Sequence, residues 1–231
     1  MEKCIGIIGA MEAEVKGLIA KIEELKCERV GGIDFYSGKI SGKSVVVAQC
    51  GVGKVFAAMC AQTMIIKYAP ALIVNTGVGG ALAGGLKCTD IVVASRLVQH
   101  DMDTSAIGDP KGLVSGINKV YFDTDERASK ILLDAAKELS LGAYGGTIAS
   151  GDIFVADSAL KERIVSDFGA SVCEMEGAAI AQVAFVNSTP FAVVRAISDN
   201  ADGASPMSFV EFLAEAVKSS EALTAALIKE Y

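Results

Sequence analysis

Short apolar runs rich in Ile and Val alternate with segments of helical periodicity along the whole chain. Residues 4–9 and 190–199 are two such runs, and each has the length of a strand that is buried on both faces. Between the runs, apolar residues recur every three or four positions with Lys and Glu among them, as in amphipathic helices. This alternation predicts an α/β fold with a mixed, mostly buried central sheet surrounded by helices.

The segment 172–186 is apolar or small at nearly every position, except for two glutamates near its beginning. From Ala178 onward it predicts a buried helix. Glu174 and Glu176 are expected at or just before the first turn, where free N–H groups and the helix dipole favour negative charge. A buried carboxylate is unfavourable unless something binds it. The pair therefore predicts either an N-terminal cap or a site that binds hydroxyl groups.

Three further segments shape the predicted architecture. The apolar spacing that begins at Val15 predicts a first helix that continues to Leu25. The run 71–75 predicts a short strand that ends in a glycine-rich turn over residues 76–82, where the backbone can approach a ligand closely. The polar stretch 101–115 predicts the longest loop.

Length and composition predict one compact domain that spans residues 1–231. With 52% hydrophobic residues, 24 Gly and 4 Pro, the chain can bury a large core. The net charge of −7, without a basic cluster, argues against nucleic acid and anionic membranes as partners. The sequence shows neither a signal peptide nor an apolar stretch long enough to span a membrane, so we expect a cytoplasmic protein.

The cysteines and the single histidine, His100, do not suggest a metal site. None of the 6 Cys belongs to a CxxC pair, and most lie beside apolar residues, which is typical of reduced, buried thiols. Their spacing does not match that of zinc ligands. We therefore expect neither a metal nor a cofactor.

Common nucleotide-binding and nucleophile motifs do not fit this sequence. The glycine clusters at residues 51–53 and 77–80 lack the third glycine of the dinucleotide fingerprint, and no P-loop sequence occurs. A catalytic serine would have no histidine base near it in the sequence. The chemistry must therefore come from other groups.

Three carboxylates and one arginine lie inside or at the edge of apolar segments: Glu14, Glu176, Asp199 and Arg195. Arg195 lies within the strand-like run 190–199 and would be costly to bury without an acidic partner. That run ends at Ser198 and Asp199, and the carboxyl ends of strands are where α/β enzymes place their chemistry. We expect these groups to form one site.

Five motifs occur in the order and spacing of one known family: GIIGAMEAEV (6–15), NTGVGG (75–80), SGDIF (150–154), CEMEGA (173–178) and VRAISD (194–199). Together they resemble the bacterial 5′-methylthioadenosine/S-adenosylhomocysteine nucleosidases, within the purine nucleoside phosphorylase superfamily. The resemblance covers essentially the whole chain, and five motifs in register are far more specific than one. It implies a purine nucleoside phosphorylase-like, barrel-like sheet and a homodimer whose pocket is completed by the neighbouring subunit.

The resemblance also implies a reaction, which is hydrolysis of the bond between adenine N9 and ribose C1′. Asp199, with Ser198, matches the general acid that protonates adenine N7, and Glu14 matches the carboxylate that deprotonates the attacking water. Glu176 matches the group that binds the ribose 2′- and 3′-hydroxyls. Arg195 would hold the carboxylates and help to place the water. The implied substrates are 5′-methylthioadenosine, S-adenosylhomocysteine and 5′-deoxyadenosine.

The other implied site residues form binding surfaces. Phe154 matches the ring that stacks on adenine, and the backbone of Val155 matches the groups that read its edge. Met11 and Met175 match apolar contacts to the ribose and the thioether, and Phe209 would line the alkylthio end. Gly79 and Gly80 would let the chain approach the substrate closely. Two positions depart from the family, because Val78 stands where many relatives carry Ser and Ile107 where an aromatic residue often closes the neighbour's pocket. Simple core packing is the alternative for Phe154 and the two Met residues.

Two other functions are compatible with such a chain. A phosphorylase would share the fold but needs cations around its phosphate. Asn75 stands where related phosphorylases place a phosphate-binding Arg, and Glu14 would repel an anion. A non-catalytic purine-binding module would need neither Glu14 nor Asp199. The retained carboxylates therefore favour the hydrolase.

Overall fold

The computed structural model describes residues 4–201 and 206–231, and in the last segment the side chains from residue 212 onward. Within these residues the chain forms ten strands: β1 (Ile5–Gly9), β2 (Glu23–Val30), β3 (Ile33–Ile40), β4 (Lys43–Gln49), β5 (Leu72–Ala81), β6 (Ile91–Gln99), β7 (Phe122–Asp123), β8 (Ala143–Ser150), β9 (Ala170–Glu174) and β10 (Phe191–Asp199). The same residues form six α-helices: α1 (Glu12–Ile19), α2 (Lys54–Tyr68), α3 (Glu126–Glu138), α4 (Ser158–Phe168), α5 (Gly177–Val186) and α6 (Pro206–Glu230).

The ten described strands belong to one mixed sheet, part of which closes into a barrel. β10, β6, β8, β9 and β5 follow one another in hydrogen-bonded order, and β10 also pairs with β5, so these five strands form a ring. β1, β4, β3 and β2 extend the sheet outward from β5. The β1–β5 and β5–β10 pairs are parallel, whereas β10–β6 is antiparallel. The predicted α/β fold with a mixed, mostly buried, barrel-like sheet is confirmed.

β5 lies where the barrel meets the outer strands, and all of its residues are buried. The prediction of a glycine-rich turn over residues 76–82 is wrong, because the strand continues to Ala81. A Cβ on Gly77 would lie 2.5 Å from Oε1 of Glu14, and one on Gly79 would lie 2.6 Å from Cγ1 of Val172. These glycines therefore allow neighbours to pack directly onto a strand that is buried on both faces.

The first helix is shorter than its apolar spacing predicts. α1 ends at Ile19, and residues that include Leu25 form the edge strand β2 instead. Among the described strands, β2 pairs only with β3, and nearly all of its residues are exposed, so charged side chains suit it as a sheet edge. In the sequence, the helical spacing of apolar residues that begins at Val15 continues to Leu25. It therefore hides the alternation of charged and apolar residues that would indicate β2.

The parallel strands β1, β5 and β10 end at one edge of the sheet and bring the predicted site residues together there. α1, with Glu14, begins just after β1, while Ser198 and Asp199 end β10. β9 runs antiparallel to β5, and its register sets Cys173 opposite Gly80. The sheet topology thus gathers segments that are far apart in the sequence.

α5 is the buried helix that the sequence predicts after the two glutamates. Its residues are apolar or small on nearly every side, and most of them belong to the core between α2 and the barrel. None of the helices in residues 4–201 and 206–231 has the length and apolar character that a membrane span requires.

Candidate active site

A pocket at the carboxyl ends of β5 and β10 contains most of the predicted site residues. Those that line it are Met11, Glu14, Val78, Gly79, Gly80, Phe154, Val155, Met175, Glu176, Ser198 and Asp199. The described residues that line this pocket include no Lys, Arg or His. The charged groups among these described lining residues are therefore all carboxylates.

Glu14 is a buried carboxylate that backbone N–H groups hold in place. Its Oε2 accepts hydrogen bonds from the N–H groups of Ala10 at 2.7 Å and Met11 at 2.9 Å, and its Oε1 accepts from that of Val78 at 3.2 Å. Burial raises the pKa of Glu14, although the charge of Arg195 and these N–H groups act in the opposite direction. A carboxylate with a raised pKa is suited to accept a proton from water.

Glu176 is the N-cap residue of α5, but its side chain makes no capping hydrogen bond. Its Oε1 accepts a hydrogen bond of 2.8 Å from the N–H of Gly53, at the beginning of α2. Burial, together with the nearby charge of Glu174, raises the pKa of Glu176 to about 7. Because Glu176 also lines the pocket, its carboxylate can meet a ligand hydroxyl.

Glu174 is the glutamate that caps α5. Its Oε2 accepts hydrogen bonds from the N–H groups of Glu176 at 3.2 Å and Gly177 at 2.8 Å, and Ser150 Oγ donates to its Oε1. The two possibilities predicted for the glutamate pair are thus divided between its members. Glu174 caps the helix and also lines the pocket, whereas the Glu176 carboxylate lines the pocket without capping the helix.

Arg195 lies behind the pocket, and only 2% of the residue is exposed. Its guanidinium donates to Glu174 Oε2 and to Asn75 Oδ1, and to the backbone carbonyl of Asn75 at 3.1 Å. The acidic partner that its burial requires is therefore Glu174. Arg195 acts on Glu14 and Glu176 through its charge, and no hydrogen bond to either occurs among the described contacts. Burial by itself would lower the pKa of Arg195, but these three carboxylates raise it.

Asp199 lines the pocket together with Gly79 and Gly80, which belong to the neighbouring strand β5. Ser198 Oγ donates to its Oδ2 at 2.8 Å, and the N–H of Ala201 donates to its Oδ1 at 2.8 Å. Ser198 is buried and Asp199 is only partly buried, so the hydroxyl orients a carboxyl group that stays accessible.

The loop after β8 supplies the aromatic wall of the pocket. Phe154 lies in this loop with 58% of its surface exposed, and the adjacent Val155 is buried. A planar ligand could stack on an aromatic face presented in this way. The loop thus provides the apolar side of a pocket whose other side carries the carboxylates.

Three predicted residues are not part of the described pocket lining. Arg195 is enclosed behind it, and Ile107 is 81% exposed at the end of a short 3₁₀ helix (Ser105–Ile107) outside it. Phe209 lies in α6, but its side chain is outside the described residues.

Sequence reasoning missed several residues that do line the pocket: Ala10, Val52, Ile153, Cys173 and Glu174. Most of them adjoin a predicted site residue and gave no separate signal. Glu174 was visible as one of two glutamates, and the burial of Arg195 in a strand already called for an acidic partner. In the described part of the chain, no group of three or more His, Cys, Asp and Glu residues could hold a metal ion.

Comparison with known proteins places this fold and pocket in a class. The family model described as "Phosphorylase superfamily" matches residues 4–229, which is nearly the whole chain. The 5′-methylthioadenosine/S-adenosylhomocysteine nucleosidase of Shewanella halifaxensis is 38% identical over 231 residues, which cover 98% of this chain and 99% of the relative. The chain therefore belongs to the 5′-methylthioadenosine/S-adenosylhomocysteine nucleosidase family, as the sequence motifs predict.

Solved structures agree with this assignment. The Neisseria meningitidis nucleosidase in complex with methylthio-immucillin-A has a TM-score of 0.96 and 35% identity, and the match covers 99% of this chain and 100% of that one. The futalosine hydrolase of Helicobacter pylori has a TM-score of 0.95 and 35% identity, covering 100% of this chain and 99% of that one. Family and fold are thus consistent at the level of sequence and of structure.

Proposed function

We propose that this protein hydrolyses the N-glycosidic bond of 5′-methylthioadenosine and S-adenosylhomocysteine, and also that of 5′-deoxyadenosine. The products are adenine and the 5′-substituted ribose. The observation that carries this proposal is that Glu14, Glu176 and Asp199 line one pocket without a cation among its described lining residues. Such a pocket suits a neutral nucleoside and a neutral water better than an anionic nucleophile.

In the proposed reaction, the C1′–N9 bond breaks and its electron pair leaves with the adenine. Asp199 donates a proton to N7 and so neutralises the leaving base, while positive charge develops on the ribosyl ring. The water oxygen forms the new bond to C1′, and Glu14 accepts the water proton. Two carboxyl groups that act on opposite sides of the sugar correspond to the arrangement of an inverting glycosidase.

The remaining residues bind and orient the substrate. Glu176 accepts hydrogen bonds from the ribose 2′- and 3′-hydroxyls, and the Phe154 ring stacks on adenine while the backbone of Val155 reads its edge. Arg195 contributes a fixed positive charge near Glu14 and Glu176. This charge favours the ionised form of Glu14, which is the form that a general base requires.

A phosphorylase is less consistent with the same geometry. The beginning of α2 is the kind of helix N-terminus that could bind phosphate. Its N–H groups at Gly53 and Lys54 instead donate to the carboxylates of Glu176 and Asp152, each at 2.8 Å. Asn75 stands in place of a phosphate-binding Arg, and its side-chain Oδ1 already accepts a hydrogen bond from the guanidinium of Arg195. Phosphate would therefore have to displace carboxylates that already hold these donors.

We also propose that the protein is a homodimer that works in the cytoplasm. α2 exposes large apolar side chains along its length, namely Val55, Phe56, Met59 and Ile66. A second copy of the chain would cover this surface, which an isolated subunit would leave in contact with water. Ile107 is exposed and outside its own pocket, so it is available to approach the pocket of the neighbouring subunit.

Adenine release from 5′-methylthioadenosine, compared between the wild-type protein and Glu14→Gln, tests the proposed function. We expect wild-type turnover and a loss of turnover by orders of magnitude in the variant, which should still bind substrate because Phe154 and Glu176 remain. Wild-type protein that binds the nucleoside and releases no adenine would instead support a non-catalytic purine-binding module.

A further inference from the structure

Three residues beside the pocket are joined in a closed cycle of hydrogen bonds. Lys54 Nζ donates to Asp101 Oδ1 at 2.6 Å, and Asp101 Oδ2 accepts from the N–H of Asp152 at 2.9 Å. Asp152 Oδ1 in turn accepts from the N–H of Lys54 at 2.8 Å. We name this cycle the Lys54–Asp101–Asp152 clamp.

The clamp joins three segments that surround the pocket. Lys54 begins α2, Asp101 follows β6, and Asp152 lies in the loop after β8, two residues before Phe154. None of the three clamp residues is among the described residues that line the pocket. The adjacent residue Gly53 donates its N–H to Glu176 Oε1 at 2.8 Å. The beginning of α2 therefore holds both the Phe154 loop and the Glu176 carboxylate.

The side-chain pair of the clamp is partly shielded from water, whereas its two hydrogen bonds to Asp152 are exposed. The side chains of Lys54 and Asp101 are only 19% and 20% exposed, so solvent screens their attraction less than that of a surface pair. Gln99 Oε1 also accepts from Lys54 Nζ at 3.1 Å, which fixes the ammonium group further. The dipole of α2 favours the carboxylate of Asp152 at its first turn.

We infer that Lys54, Asp101 and Asp152 are positioning residues that fix the Phe154 loop relative to Glu176. They thereby set the spacing between the adenine-binding and ribose-binding parts of the pocket. Phe154 is 58% exposed, and the loop that carries it is held to the beginning of α2 and to the segment after β6 by the two hydrogen bonds of Asp152. This inference rests on the proposed function.

Loss of the clamp should weaken binding more than it slows chemistry. Stacking on adenine is present in both the ground state and the transition state, so its loss raises KM while kcat changes little. A hydrogen-bonded pair of this burial should be worth about tenfold in affinity. We therefore expect Asp101→Asn and Lys54→Met to raise the KM for 5′-methylthioadenosine and the Kd for adenine about tenfold, with kcat within about threefold of wild type.

Two variants provide matched controls. Lys54→Arg keeps a cation opposite Asp101 and should stay within about threefold of wild type in KM and adenine Kd. Asp134→Asn makes the same chemical change as Asp101→Asn, but in an exposed pair with Lys130 on α3. It should leave both constants unchanged. Thermal unfolding of each variant shows whether the fold is intact, and Lys54→Met tests the clamp if Asp101→Asn does not fold.

A double-mutant cycle with Phe154→Ala separates positioning of this loop from a general structural effect. If the clamp acts through Phe154, Asp101→Asn should weaken adenine binding clearly less in the Phe154→Ala background than in the wild-type background. Equal fold-changes in the two backgrounds would overturn the inference. Unchanged KM and adenine Kd in folded Asp101→Asn and Lys54→Met would also overturn it.

The wild-type protein separates this inference from the function on which it rests. If the wild type neither hydrolyses 5′-methylthioadenosine nor binds adenine, the proposed function is wrong and the inference fails with it. If the wild type does both and the clamp variants behave like it, only the inference is wrong.

Discussion

Arg195, behind the pocket, forms an ion pair with Glu174, which lines it, and only 2% of each side chain is exposed. Both side chains make further hydrogen bonds. Arg195 also donates to Asn75, and Glu174 also caps α5 and accepts a hydrogen bond from Ser150. The pair thus connects β5, β10 and the beginning of α5. The positive charge of Arg195 also acts on Glu14 and Glu176, whose carboxylates face the pocket.

Removal of Glu174 should therefore destabilise the protein strongly. Glu174→Ala leaves Arg195 buried without its acidic partner, and we expect a loss of about 3–5 kcal/mol in the free energy of unfolding, as measured with urea. Glu12→Ala removes an exposed glutamate that pairs with Lys16 and should change this free energy by less than about 1 kcal/mol. Equal stability of the two variants would contradict the structural role of the pair.

Asp199→Asn should abolish most of the turnover while leaving the fold and substrate binding nearly intact. An amide cannot donate the proton that the leaving adenine needs, and general acid catalysis commonly contributes ~10²–10⁴-fold. Single-turnover rates of adenine release, together with the Kd for adenine, measure the two effects separately. Turnover close to that of wild type in a folded Asp199→Asn variant would exclude Asp199 as the acid.

The raised pKa of Glu176 predicts a pH dependence of stability. A carboxyl group whose pKa rises to about 7 on folding binds its proton more tightly in the folded protein than in the unfolded chain. The stability that it contributes is fully present below its ordinary pKa of 4.5 and is lost as the pH rises through about 7.

Glu176→Gln should remove this part of the pH dependence. We expect the wild type to lose on the order of 2–3 kcal/mol relative to the variant between pH 4.5 and pH 7. Unfolding by urea at a series of pH values measures the difference. Parallel stability curves for the two proteins over this range would show that the pKa of Glu176 is not raised.

The exposed apolar face of α2 predicts how the proposed dimer can be disrupted. Asp at positions Val55 and Met59 would place two charges in the proposed interface, so Val55→Asp/Met59→Asp should be a monomer by light scattering. Leu25→Asp changes an exposed apolar residue on the edge strand β2 and should remain a dimer. A wild-type protein that is monomeric and fully active at assay concentration would refute the proposed assembly.

Much of this architecture could be predicted from local sequence, but contacts between distant segments could not. The strand that ends at Asp199 and the buried helix after Glu176 follow from apolar patterning. The continuation of β5 through Gly77 to Ala81 could not be predicted, because it depends on pairing with β10 and β9, which lie far along the chain. Likewise, Arg195 clearly needed an acid, but only the fold decides that Glu174 is its direct partner.

The clearest test of the proposed hydrolase compares adenine release from 5′-methylthioadenosine with and without inorganic phosphate and identifies the sugar product by NMR. The carboxylate-lined pocket predicts the same rate in both conditions and a free reducing 5-methylthioribose as the product. A rate that rises and saturates with phosphate, or a ribose 1-phosphate product, would contradict the account and identify the protein as a phosphorylase.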